Sequence, residues 1–212
     1  MKNKILLIGL ILSILGMIGF VSAEMVEKNN GNFNVSVNLS KGWNIIAGTE
    51  IKQGILSDSQ IKLSDIKVIW YYSPVLKKYY QLYPNNQLEK VSAEDGRQLD
   101  EDVILTSAVW IYSAKAGVLR YDTLEDYPLL DDRKLYAGYN FFTVTPDIKG
   151  KSFDEIKGSC NIDKFFTWDV DGQQWSTSLP HAGIGMGMII KVSNDCTLGI
   201  AEEISVPPQI PN

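Results

Sequence analysis

The chain has 212 residues with one histidine and two cysteines, so nucleophilic or metal chemistry would have to be built from few parts. His181 stands in Leu179-Pro180-His181-Ala182-Gly183, a loop-like stretch. A general base needs a nucleophile or acid placed beside it, and the sequence holds no Gly-x-Ser-x-Gly elbow to supply one. Gly183-Ile184-Gly185-Met186-Gly187 imitates a phosphate loop but lacks its Lys and Ser/Thr, and it precedes a strand where a helix is required. Those glycines are expected to let a loop pack closely or a strand bulge. Asp169, Asp171 and Gly172 resemble the start of a calcium loop. Gln173 and Trp175 then occupy ligand places and no closing Glu follows, so a hairpin turn is expected there. Glu94-Asp95 and Asp100-Glu101-Asp102 read as a solvated acidic loop. These residues assemble no catalytic set, no metal site and no cofactor site, and the chain reads as non-enzymatic.

Aromatic side chains are the stronger candidates for recognition. Trp70, Tyr71, Tyr72, Tyr79, Tyr80 and Tyr83 crowd one predicted hairpin, and Trp168 and Trp175 the matching one. Neighbours in a strand point to opposite faces, so Tyr71 cannot share a side with Trp70 and Tyr72. Tyr71, Tyr79, Tyr80 and Tyr83 are therefore candidate contacts for a sugar or a protein partner. The competing reading is cross-strand pairing that only stabilises the hairpin. Asn34-Val35-Ser36 and Asn38-Leu39-Ser40 are both glycosylation acceptors if the chain is exported, which makes Asn34 and Asn38 candidate glycan sites.

Residues 1–23 read as a secretory signal: Lys2 and Lys4, an apolar run from Ile5 to Phe20, then Val21-Ser22-Ala23. The run is long enough that an uncleaved N-terminal anchor is the alternative. No later stretch is apolar enough to span a bilayer by helix. The net charge is −5, and losing the two lysines makes the exported chain more acidic still. That balance argues against nucleic-acid binding and against an anionic membrane surface. In an exported chain Cys160 and Cys196 fit a disulfide, since their spacing matches no CxxC pattern. Chain entropy over that loop predicts roughly 4 kcal/mol of stabilisation.

The elements that must position these residues come in two copies. Leu39-Ser40-Lys41-Gly42-Trp43-Asn44-Ile45-Ile46 recurs as Leu135-Tyr136-Ala137-Gly138-Tyr139-Asn140-Phe141-Phe142, at an offset of 96. The same offset carries Ile66 to Ile162, Ile69 to Phe165, Tyr72 to Trp168 and Tyr79 to Trp175. Ala108–Tyr112 then pairs with Gly187–Lys191, and Leu119 with Leu198, at an offset of 79. A unit used twice is one supersecondary package. The expected organisation is a linker over 24–32, repeat 1 over 33–125, repeat 2 over 126–201 and a Pro-rich tail over 202–212.

Within repeat 1, Phe33, Val35, Val37 and Leu39 alternate with Asn34, Ser36, Asn38 and Ser40, the pattern of a half-buried strand. Lys41-Gly42 is expected to turn this strand into a hairpin with the next. Asp131 to Lys134 crowd the equivalent strand of repeat 2, which should be exposed or frayed. A short helix is expected in each copy: Ser152-Phe153-Asp154-Glu155 carries a capping box with Gly158 as the stop, and Ser57 to Asp65 is a weaker counterpart. Short strands, regular turns and little helix predict a mostly β fold of two tandem β-sandwich or open-barrel-like repeats.

The two blocks resemble the GWN-type β repeat, L-x-x-G-W-N-L-I followed by G-Y-W-I, of secreted and surface-layer-associated prokaryotic proteins. Leu39, Gly42, Trp43, Asn44 and Ile45 match the first block, and Ala108-Val109-Trp110-Ile111 the last, with Val in place of Tyr. Repeat 2 departs from it: Tyr139 replaces Trp, and Met188-Ile189 replaces the last aromatic pair. The resemblance implies a module of cell-surface proteins with no shared catalytic residues. The chain is thus expected to be a secreted or cell-surface structural or attachment module, with a cell-surface protein or a polysaccharide as partner. A carbohydrate-binding protein using the exposed tyrosines is the alternative, and a secreted hydrolase the second.

Overall fold

The computed structural model describes residues 23–28, 33–48, 51–94, 103–104, 107–123, 133–148, 151–177 and 183–199. The signal segment before Ala23, His181, the acidic positions 95 and 100–102 and the tail lie outside the described residues.

The strands in chain order are β1 (Ala23–Glu27), β2 (Phe33–Leu39), β3 (Gly42–Ala47), β4 (Ile66–Ser73), β5 (Lys78–Tyr83), β6 (Ala108–Ser113) and β7 (Gly117–Asp122) in the first half. The second half has β8 (Lys134–Leu135), β9 (Gly138–Thr143), β10 (Ile162–Asp169), β11 (Gln174–Ser176), β12 (Gly187–Val192) and β13 (Cys196–Thr197). They form antiparallel sheets in the orders β1-β2-β7, β3-β6-β4-β5, β9-β12-β10-β11 and β13-β8. The two four-stranded sheets have the same order once each strand is replaced by its counterpart at the sequence offsets. Register agrees too: Tyr72 pairs with Tyr79, and Trp168 with Trp175.

Three apolar clusters show how these sheets stack. The first joins Val35, Val37, Leu119 and Tyr121 of the outer sheet to Ile46, Ile69, Val109 and Ile111 of the four-stranded sheet. The second joins Leu135 and Leu198 to Phe142, Met188 and Ile190. The third joins Ile45 and Ala108 to Phe141 and Ile189, so the two four-stranded sheets also pack on each other. Both faces of each inner sheet are therefore covered. Doublets such as Ile45-Ile46, Phe141-Phe142 and Ile189-Ile190 follow from that, because adjacent residues serve opposite cores.

Residues 24–27, expected in a linker, form β1 instead, paired along the edge of β2 with Met25 buried. The expected hairpin across Lys41-Gly42 is also corrected: β2 lies in the outer sheet and β3 in the inner one. The turn is a corner between layers. Gly42 has φ +107°, a left-handed conformation that favours glycine. The Asn44 amide, 1 % exposed, then pins the corner: it accepts from Ser40 N–H at 3.0 Å and donates to Ser40 O at 3.0 Å and Gly42 O at 3.1 Å. Gly138, at φ +108°, and Asn140 repeat the device on Tyr136 and Gly138. This is the physical content of the recurring Gly-x-Asn.

The helix Phe153–Ile156 has its capping box, with Ser152 and Glu155 exchanging hydrogen bonds. Its expected counterpart over 57–65 is replaced by a helix at Ile51–Gly54 and a 3-10 turn at Leu63–Asp65. The crowded strand of repeat 2 shrinks to Lys134–Leu135. Arg133 nevertheless turns inward: it is buried, lies over the Phe142 ring at 4.5 Å and donates to Thr143 O. Cys160 and Cys196 are bonded, with Cα atoms 5.0 Å apart, which ties the end of the Phe153–Ile156 region to β13.

Candidate functional site

The packed faces of the two inner sheets leave a cavity of about 450 Å³ lined by Trp43, Trp70, Tyr79, Trp110, Trp168 and Trp175. These include all five tryptophans of the chain. Repeat 1 supplies Trp43 from its edge strand β3, Trp110 from the adjacent β6, Trp70 from β4 and Tyr79 from β5. Repeat 2 supplies Trp168 and Trp175 from its hairpin β10–β11. Trp110 sits at the centre, with ring centroids 5.0 Å from Trp168, 5.4 Å from Trp175 and 5.8 Å from Trp43. All three contacts are edge-to-face, the geometry that the aromatic quadrupole prefers. Trp175 and Tyr79 are the most open members, at 46 % and 49 % exposure.

Polar contacts hold the two walls together. Trp168 donates its indole N–H to Trp43 O at 2.8 Å. Gln173, at the tip of the repeat 2 hairpin, accepts from Trp43 N–H at 2.7 Å and donates to Trp43 O at 3.0 Å and to Val170 O. Because β3 is an edge strand, this amide satisfies backbone groups that a neighbouring strand would otherwise take. The Gln173 carboxamide oxygen lies 2.6 Å from where a Cβ on Gly42 would fall, so the clasp requires glycine there. A second junction lies at the Gly-rich loop: Ala47 N–H donates to Gly185 O at 2.8 Å, and Gly187 abuts Ile45 and Ala108. The glycines thus serve close packing, as their sequence context predicted.

Burial raises the Tyr79 hydroxyl above its ordinary value, and a hydrogen bond from Trp110 opposes the shift. Burial likewise raises Tyr72, reinforced by Tyr79 and Tyr139. Both phenols stay protonated and neutral at physiological pH, and none of the six lining side chains is charged.

The duplication gives each lining residue a counterpart: Tyr139 for Trp43, Phe166 for Trp70, Trp175 for Tyr79, Ile189 for Trp110, Tyr72 for Trp168 and Tyr79 for Trp175. The counterpart set holds one tryptophan against five. Packing two equivalent sheets would place bulk evenly on both sides. The indoles are thus concentrated around the cavity.

The sequence-predicted contacts fare unevenly. Tyr79 lines the groove. Tyr71 and Tyr80 do not: they are 0 % and 3 % exposed, stack on each other at 6.4 Å and belong to the core of repeat 1. Tyr83 is half-buried against that same core. Their face of the β4–β5 hairpin is turned into the core of repeat 1, whereas Trp70, Tyr72 and Tyr79 face the other repeat. Trp43 and Trp110 escaped sequence reasoning, although their positions in the repeated blocks were visible. Asp169 forms the predicted turn, accepting from the N–H groups of Asp171 and Gly172 at 3.1 Å each; the Gly172 hydrogen bond foremost holds its carboxyl below the usual value. Asn34 and Asn38 lie on the half-buried outward face of β2, opposite the core residues Val35 and Val37, and Asn34 donates to Asp122 at 3.1 Å. Among the described residues no group of acidic, Cys or His side chains could hold a metal ion, and no helix is long and apolar enough to cross a membrane. No family model, no curated protein and no solved structure matches this chain.

Proposed function

We propose that this chain is an exported, non-enzymatic module that attaches to a component of the cell exterior through the tryptophan groove. The single observation that carries the reading is the convergence of all five tryptophans, from both repeats, on one cavity. Aromatic rings contribute large contact area at small conformational cost, and they dominate recognition surfaces for that reason. The lining supplies ring faces and hydrogen-bond donors but no carboxylate, imidazole or thiol, a chemistry suited to holding a ligand. The disulfide is compatible with an oxidising exterior, and the N-terminal signal pattern and the likeness to GWN-type surface repeats support the same location. Asn34 and Asn38 present their sequons on the outward face of the outer sheet, where a glycan would leave the core untouched. Intact mass of native material, compared with the bare chain from Glu24, tests that modification.

The attachment reading is tested by co-sedimentation of the purified mature protein with cell envelopes of the producing organism. The native chain should pellet with them, the double variant Trp175→Ala/Tyr79→Ala should remain in the supernatant, and Tyr139→Ala should behave as native. Tyr139 is the matched control, being 44 % exposed but absent from the groove lining. A native chain that stays soluble, or a groove variant that pellets fully, overturns the reading.

A further inference from the structure

We infer that the groove takes a short run of neutral sugar rings, the exposed part of a surface polysaccharide; this rests on the groove being the attachment surface. Charge is the first ground. The six lining side chains are all uncharged, so a charged polymer would lose hydration without gaining a counter-ion. The chain's net charge of −5 further disfavours a polyanion.

Hydrogen-bond capacity is the second ground. Indole N–H is a donor only. The N–H of Trp168 is committed to Trp43 O. Among the described residues, those of Trp43, Trp70 and Trp175 have no hydrogen-bonded partner. A ligand must therefore present acceptors above an apolar face. A pyranose does both, because its ring C–H groups stack on an aromatic face while its hydroxyl oxygens accept from donors at the rim. An ordinary peptide does not, since its own N–H groups would meet aromatic surface and find almost no acceptor there. The one peptide class that escapes this objection is proline-rich, lacking N–H at proline. The cavity volume of about 450 Å³ lies within the range of small-ligand sites, and suits a few rings of a longer chain threaded between Trp175 and Tyr79.

The experiment uses the full mature protein and two kinds of probe. Envelopes are tested untreated, after exhaustive protease digestion, and after periodate oxidation, which cleaves vicinal diols. In parallel, neutral hexasaccharides (cellohexaose, chitohexaose, xylohexaose and mannohexaose), a polygalacturonate oligomer and a peptide bearing Val206-Pro207-Pro208-Gln209-Ile210-Pro211 are titrated by calorimetry. The expected result is envelope binding that survives protease and is lost after periodate, with a neutral hexasaccharide bound and the acidic oligomer and peptide not. Trp175→Ala should weaken saccharide binding at least tenfold, about 1.4 kcal/mol. Trp175→Phe, which keeps a stacking face and the hairpin fold, should recover most of it, and Tyr139→Ala should leave it unchanged. Envelope binding that is destroyed by protease, or that resists periodate while no neutral hexasaccharide is bound, overturns the glycan inference while the attachment reading stands. Binding of the proline-rich peptide in place of every saccharide also overturns it. If untreated envelopes are not bound at all while a neutral hexasaccharide is, the attachment reading falls and the ligand class survives.

Discussion

Replacement of Asn44 tests whether the recurring Gly-x-Asn is the corner that holds the layers together. Its buried carboxamide makes three hydrogen bonds, one accepted and two donated, at 3.0 to 3.1 Å. Asn44→Ala deletes all three and leaves the Ser40 N–H and two carbonyls without these partners. At about 1 kcal/mol net for each bond, the cost is about 3 kcal/mol. For a chain of this size that corresponds to a fall in Tm of roughly 6–12 °C. Asn44→Asp sharpens the test. It keeps the acceptor for Ser40 N–H but sets a carboxylate oxygen near two carbonyl oxygens. The repulsion raises the folded pKa of the new carboxyl above its unfolded value near ~4. Relative to native protein, the Asp variant is therefore most stable below that unfolded value and loses stability as pH rises through the raised folded value. At neutral pH it should be less stable than Asn44→Ala. Urea unfolding at several pH values, comparing midpoints at constant m, reads this directly. An Ala cost under 1 kcal/mol, or an Asp variant as stable as Ala at pH 7, refutes the corner argument.

Other perturbations follow from the same contacts. Gly187→Ala would put a methyl 2.1 Å from Ile45 Cγ2 and 2.4 Å from Ala108 Cβ, an overpacking cost of about 1–3 kcal/mol by thermal melting; Gly199→Ala, with nothing within 4 Å, is the neutral control. Reducing the Cys160–Cys196 bond opens a loop of separation 36 and should cost up to about 4 kcal/mol, read as a lower urea midpoint with reductant present. Gln173→Ala removes the clasp on Trp43 and should cost about 2 kcal/mol, with faster amide exchange at Trp43 than at its neighbour Asn44. Asp65 is held below the ordinary carboxylate value by its hydrogen bond to Lys115 and by Lys62 N–H. Its contribution is present above the unfolded pKa and fades as pH falls through the depressed folded one. Asp65→Asn should therefore flatten the acid limb of the stability curve, and an unchanged limb would show that the pair contributes nothing.

Periodicity exposed what depends on neighbours along the chain. The alternation of Phe33 to Leu39 gave β2 its buried face, the capping box placed the Phe153–Ile156 helix, and the offsets of 96 and 79 foretold one strand unit used twice. What stayed hidden depends on which layer covers which face. The Lys41-Gly42 turn has hairpin chemistry, yet a positive φ serves a corner between sheets equally well. Alternation separates Tyr71 from Tyr72 but cannot say which of them meets solvent, and here Tyr71 is buried in the core of repeat 1 while Tyr72 faces the second repeat. Trp43 and Trp168 are 125 residues apart, and no local pattern brings them together. The one available hint was the run of apolar doublets in β3, β9 and β12, which requires an inner sheet covered on both sides.

The gathering of every indole at one cavity also makes this protein its own optical probe. Excited at wavelengths that tryptophan absorbs and tyrosine does not, the chain emits only from the groove. Four of the five rings are linked by centroid separations of 5.0 to 5.8 Å, close enough for excitation to migrate among them before emission. A quencher or ligand that touches Trp175 alone would therefore dim light absorbed by its neighbours as well. The emission spectrum is blind to the outer sheets and the disulfide, and registers what enters or leaves the space between the two repeats.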